Sequence, residues 1–211
     1  MTRASILSAV LLLGGCISLL PDPPPPPRTY VLEAQNVAAL EGEPIDAVIG
    51  VATPGGERAL LGVDLVWRTG DTIAYVAQSQ WSNRAADALQ QVLTETLMRQ
   101  GRFRSSTRAG EARADYEIRW EVLDFEVREE DMKAHFVADV RLVARGRRII
   151  ASQIVATEAP VSDRSSSIAA QALARAAREG SARIGEFAAN AAAEASAAED
   201  DDQANAASIN R

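Results

Sequence analysis

Residues 116–157 read YEIRWEVLDFEVREEDMKAHFVADVRLVARGRRIIASQIVAT. Tyr116, Ile118, Trp120 and Val122 alternate with polar residues, and the apolar phase then shifts to Leu123, Phe125 and Val127. Alternate side chains of a strand face one side, so a phase change inside one run predicts a bulge or strong twist near Val122. Ala134, Phe136, Ala138, Val140 and Leu142 form a second alternating run, and residues 149–157 a third. Glu129-Glu130-Asp131 and Arg145-Gly146-Arg147 are short links between them. The reading is an antiparallel meander with one apolar face.

Outward from the meander, the pattern supplies what covers that face. Ser82 or Asn83 is placed to cap a helix running to Gln100, with Leu89, Val92, Leu93 and Leu97 on one side and Gly101 as its stop. A second helix is predicted over 164–189. Ala169, Leu173, Ala176, Gly180, Ile184 and Phe187 fall in one narrow stripe of it. Glycine in a helix interior costs about 1 kcal/mol against alanine, so Gly180 implies close approach to the sheet. Upstream, residues 29–32, 47–52, 60–67 and 72–79 read as extended, with turns at Thr53-Pro54-Gly55-Gly56 and Thr69-Gly70-Asp71. The fold class is therefore α+β: a mainly antiparallel sheet with two main helices packed on it. The domain is assigned to 28–189, followed at 190–211 by an Ala-rich acidic tail expected to be disordered, with Glu199, Asp200, Asp201 and Asp202 in it. A longer helix used in oligomer contacts is the alternative for that tail.

The chain has 211 residues, which suits one domain with appendages. Its net charge of −7 argues against nucleic acid, whose binders present a basic face. One Cys and one His cannot form a disulfide, a Cys/His zinc cage or a CxxC redox pair. No metal and no cofactor is expected beyond a covalent lipid. Aromatic residues are only 5%, so the core has to be built largely from Ala, Val, Leu and Ile.

The first residues carry an address. Arg3 precedes an apolar stretch, residues 4–13, too short for a membrane-spanning helix and suited to a signal peptide. Leu13-Gly14-Gly15-Cys16 looks like a bacterial lipobox. A thiol is needed for the thioether to a diacylglyceryl group, and small neighbours admit the peptidase. Residues 1–15 are thus read as a signal peptide and Cys16 as the lipidation site, bearing acyl chains such as palmitate. Two or three chains anchor firmly where one is marginal. Ile17, rather than Asp, follows the cysteine, which favours the outer membrane over the inner. Residues 16–27 form a Pro-rich tether. Polyproline II rises ~3.1 Å per residue, so the seven residues from Pro21 to Pro27 span on the order of 20 Å.

The sequence holds little catalytic chemistry. His135 sits in an alternating strand opposite the apolar face and is expected to be a partly exposed strand residue. Gly55-Gly56 lacks the Lys-Ser/Thr of a phosphate loop, and no G-x-S-x-G elbow occurs. Asp115, Glu117, Glu121 and Asp124 could supply a hydrolase pair only where two of them face each other across a cleft. Tyr75 and Trp81 bracket the entry to the first helix. They are candidate contacts, together with Tyr30, either to a partner or within the fold.

Several of these stretches occur in a familiar order. Tyr30-Val31-Leu32 follows the Pro-rich segment; Ile49-Gly50-Val51, residues 60–66, Ile73-Ala74-Tyr75, Trp81, residues 89–97 and Gly101-Arg102-Phe103 come next. Tyr116-Glu117-Ile118, Phe125-Glu126-Val127, residues 137–143, Arg147-Arg148-Ile149-Ile150 and an Ala-rich helix close the set. Over residues 28–189 the chain resembles the ABC-type transport auxiliary lipoprotein family, the PqiC-like group. It departs from the pattern after Trp81, where Ser82-Asn83-Arg84 replaces an acidic residue and proline. The resemblance implies a non-enzymatic accessory protein on the periplasmic face of the outer membrane. It would dock or bridge an MCE-domain protein and an ABC permease/ATPase complex moving phospholipids or other hydrophobic molecules, and a homo-oligomer fits that role. A freestanding envelope-assembly or secretion lipoprotein of similar fold is the alternative.

Overall fold

One long strand organises the sheet. The computed structural model describes residues 25–209, with side chains as far as residue 198. Cys16, the signal peptide and most of the tether lie outside the described residues. In chain order the strands and helices are β1 (Arg28–Tyr30), β2 (Ile45–Val51), β3 (Gly55–Gly56), α1 (Arg58–Leu61), β4 (Asp64–Thr69), β5 (Thr72–Trp81), α2 (Ala85–Gln100), β6 (Phe103–Arg108), β7 (Tyr116–Arg128), β8 (Lys133–Ala144), β9 (Ile149–Pro160) and α3 (Ser166–Ile209).

Along one edge β7 pairs antiparallel with β8 for its whole length, and β8 pairs antiparallel with β9. Along its other edge it meets β2, β3 and β4 in succession, all parallel. β6 extends the sheet beyond β2, while β5 and then β1 extend it beyond β4. The sheet is thus mixed: its long ladders are antiparallel, and short parallel contacts join the two flanks to β7.

The predicted phase change is a bulge. Val122 faces Ala138 and Asp124 faces Val137, leaving Leu123 as the extra, exposed residue. Ile118, Trp120 and Val122 on one side of the bulge, and Phe125 and Val127 on the other, all stay buried. In β8, Ala134, Phe136, Ala138, Val140 and Leu142 are all fully buried. Helices α2 and α3 lie side by side against this apolar face. A Cβ at Gly180 would stand 2.3 Å from Phe136 Cδ1, so glycine is what lets α3 seat on β8. At Gly185 the same test meets Gln100 Oε1 at 1.9 Å, where the two helices touch. Of the predicted stripe, only Phe187 is less than fully buried.

Several expectations are corrected. Residues 60–67 are not one strand: Leu60 and Leu61 are both buried, which a strand cannot achieve on one face, and they form the single-turn α1 before β4. Helix α2 begins after Arg84, not Ser82 or Asn83, with no side-chain cap. Its first amide is satisfied across space instead, Ala85 N–H donating to the Gly62 carbonyl at 2.7 Å. Gly101 ends it in the left-handed conformation, φ 71°. β6, nearly devoid of apolar residues, gave no strand signal and exists because β2 offers it an edge. The last helix does not stop at 189. It continues to Ile209, since alanine is the strongest helix former and Ala191 and Ala192 are still buried against the body. His135 is buried, 6% exposed, between the β7–β8 turn and β9.

Candidate partner-contact site

The three aromatic candidates have separate fates. Trp81, 2% exposed, stacks on Phe125 with ring centroids 5.8 Å apart and planes inclined by 18°. Of the two roles open to it, it takes the structural one. Such a pair contributes about 1 kcal/mol beyond area burial. Tyr30 is half-buried, its hydroxyl 2.9 Å from Ser166 Oγ, and so ties the strand after the tether to the start of α3. Tyr75 is at the surface, 55% exposed. Tyr75 and Trp81 do not act as a pair, because a wide bulge separates them. Val66 faces Tyr75 while Asp64 faces Gln80, and Gln78 within the bulge has φ 54°.

Tyr75 borders a shallow hollow of about 400 Å³ with Trp67, Thr69, Ala74, Val76, Glu129 and Arg164. The β4–β5 hairpin builds it. Gly70, at φ 55°, makes the turn, and its N–H donates to Glu130 at 2.5 Å. That bond holds the Glu130 carboxyl below its ordinary 4.5. Glu129 fixes the wall: one oxygen accepts the Trp67 indole N–H at 2.6 Å and the other meets the Arg164 guanidinium. Tryptophan, tyrosine and arginine are the residues most enriched where binding energy concentrates. Trp67, Glu129 and Arg164 were not predicted. Trp67 was legible as the residue opposite Ala74 once the Thr69-Gly70-Asp71 turn fixed the register. Arg164 arrives from a distant segment and had no local signal.

The hollow adjoins an open strand edge. β1 covers the outer side of β5 only at Ser79–Trp81, so over residues 72–78 no strand among the described residues lies there. β5 carries no charged residue. Exposed edges are commonly protected by charge or proline, and this one carries neither.

The other face of the same sheet end is ionic. Glu126, wholly buried, receives Arg68 Nε at 2.6 Å and Arg128 Nε at 3.3 Å, while its second oxygen is unpartnered among the described residues. The bond to Glu126 raises the Arg68 pKa above its ordinary value. His135 Nε2 lies 2.8 Å from Asp131 Oδ2, and its Nδ1 3.6 Å from Glu158 Oε1. Partial burial pushes the Asp131 carboxyl up, but the His135 bond and charge outweigh it, and the group sits below its ordinary 3.8. No set of three or more His, Cys, Asp or Glu among the described residues is arranged for a metal. None of the described helices is long and apolar enough to cross a membrane.

The chain is an α+β body with an aromatic hollow beside an open strand edge. Its sequence matches the ABC-type transport auxiliary lipoprotein component family over residues 30–185, and the chain belongs to that family. It is thereby an auxiliary component of ABC-type transport, of an envelope-associated lipoprotein kind, in a family that is not one of enzymes. Among curated proteins, none matches. Two solved structures share the fold. Protein XCC0632 of Xanthomonas campestris, of family DUF330, aligns with TM-score 0.75 at 18% identity, over 80% of this chain and 98% of its own. An uncharacterized protein aligns with TM-score 0.63 at 14% identity, over 77% and 99%. At such identities the likeness speaks for the fold alone.

Proposed function

We propose that the chain is anchored through an acylated Cys16 to the periplasmic face of the outer membrane. There it acts as the docking or bridging component of an ABC system whose periplasmic partner is an MCE-domain protein and whose cargo is phospholipid or another hydrophobic molecule. The observation that carries this is the family match beginning at residue 30, directly behind a lipobox and a Pro-rich spacer. The Trp67–Tyr75–Arg164 hollow and the bare β5 edge are the docking surface in this reading. It needs no catalytic group from the chain, only affinity and reach.

The test is affinity purification of the lipidated chain from gently solubilised native envelope. Recovery of an MCE-domain protein with the permease or ATPase is expected. Tyr75→Ala with Arg164→Ala should reduce that recovery about ten-fold, the loss typical of two contact residues. Recovery of neither component under conditions that preserve such complexes would contradict the proposal.

A further inference from the structure

Helix α3 carries two arginines with no carboxylate paired to them. Arg175 and Arg178 are three residues apart, so they share one face of the helix. With Gln171 one turn earlier, they overlook a cleft of about 330 Å³ between α3 and the segment that follows β1. Tyr30, Gln35 and the edge of Trp81 form its other side. Ala170 and Ala174 lie between, and their small side chains leave the space open. No Asp or Glu lines it.

Many other arginines of this chain are matched by acid, as Arg119 is by Glu117 and Arg141 by Asp139. Arg175 forms no ion pair among the described residues. Arg178 donates through Nε to the Glu33 carbonyl at 2.7 Å, which leaves its two terminal nitrogens uncommitted among the described residues. The Glu33 carboxylate acts on Arg178 from beyond ion-pairing distance, and Glu179, the next acid along α3, is taken by Arg183 at 2.6 Å. Burial holds the Arg178 guanidinium below its ordinary value; Glu33 opposes that shift, and the like charge of Arg175 adds to it. Two cations that repel each other on a rigid helix, above a cleft free of acid, are stabilised by an anion that joins them. In a chain of net charge −7, this is a local reversal of sign.

We infer that this cleft binds a phosphate group, gripped between Arg175 and Arg178. Guanidinium groups meet phosphate in paired, directional hydrogen bonds. A phosphate has oxygens enough to engage both arginines at once, whereas a carboxylate is filled by one. Gln35 and Gln171 add neutral donors at the rim. A soluble phosphate and a lipid headgroup present the same oxygens. The cleft opens beside Tyr30, two residues after Arg28 where β1 begins, so it stands next to the tether. It is a different place from the Trp67–Tyr75–Arg164 hollow, and the inference does not depend on which transporter that hollow contacts.

Inorganic phosphate titrated onto the isotope-labelled full chain in neutral detergent micelles, at constant ionic strength with chloride as the balance, tests it by NMR. The Nε–H resonances of Arg175 and Arg178 and the amides of Ala170 and Ala174 should shift together and saturate. Arg175→Gln, which breaks no ion pair of the fold, should weaken the midpoint read at those amides about ten-fold, as expected for one lost charged hydrogen bond. Arg84→Gln/Arg113→Gln, which removes two exposed arginines elsewhere, should leave it within about two-fold. Equal weakening in that control, or shifts that grow without saturation at all exposed arginines, would reduce the effect to screening and overturn the site. Acetate saturating the same resonances at the same concentration would assign the cleft to carboxylates and likewise overturn it. Micelles doped with phosphatidylglycerol separate the two sources. A headgroup ligand reproduces the shifts and leaves free phosphate nothing to add; with a soluble ligand the resonances stay in place and phosphate still titrates them.

Discussion

Gly180 and Glu126 show how single residues set the packing. Gly180→Ala gains about 1 kcal/mol of helix propensity but drives a methyl into the Phe136 ring, where overpacking costs 1–3 kcal/mol. The expected result is a lower melting temperature, and an increase would mean that α3 does not seat on Phe136. Glu126→Ala removes the buried partner of two arginines. Hydrogen bonds to charged groups are worth about 1.5–3 kcal/mol, and the arginines keep some access to water, so denaturant titration should show a loss of about 2 kcal/mol. Asp131 and Glu158 have carboxyl pKa values below their ordinary 3.8 and 4.5, Glu158 chiefly through its bond from Lys133. A depressed carboxyl stabilises above its unfolded value and loses that contribution as pH falls through the folded one. Carboxyl NMR titration should place both midpoints below those ordinary values, and His135→Gln should move Asp131 back upward. The close approach at Gly180 was legible in the sequence, because a glycine inside an apolar stripe needs a steric reason. The burial of Glu126 and His135 was not, since period-two reading assigns that face to solvent and cannot see the turn and neighbouring strand that enclose it.

At the level of elements, legibility followed periodicity. The meander and the register shift at Leu123 were readable because three apolar residues before the bulge and two after it keep their inward phase. β6 was not readable: Phe103-Arg104-Ser105-Ser106-Thr107-Arg108 has no alternation, and its strand form comes from β2. α1 was misread because two adjacent leucines resemble the start of a buried strand. The end of α3 was misread because composition distinguishes poorly between an Ala-rich tail and an Ala-rich helix. Two truncations separate its parts. Ending the chain after Ala198 leaves in place every residue of the helix that is buried among the described side chains, and should barely change stability. Ending it after Ala189 removes buried Ala191 and Ala192 and the Ser196 hydroxyl 3.4 Å from Tyr116, and should lower the melting temperature measurably. Equal effects from both would place the helix's contribution in its acidic segment instead.

For the whole molecule, direction is the organising property. α3 starts beside Tyr30 at the tether end and passes Tyr116 at the other, so the strand β7 and the helix span the same axis. Under the proposal of an acylated Cys16, the chain would be held from its Tyr30 end, an arrangement that suits reach from a membrane toward a partner. The candidate hollow was half legible: Tyr75 stood out in the sequence, while Trp67 and Arg164 needed the fold to bring them together. The account rests on the tether, and intact mass spectrometry of the mature protein from its native host tests that most directly. It should show a chain beginning at Cys16 and heavier by a diacylglyceryl group, with or without a further acyl chain. A retained leader, or an N-terminal cysteine of unmodified mass, would contradict it.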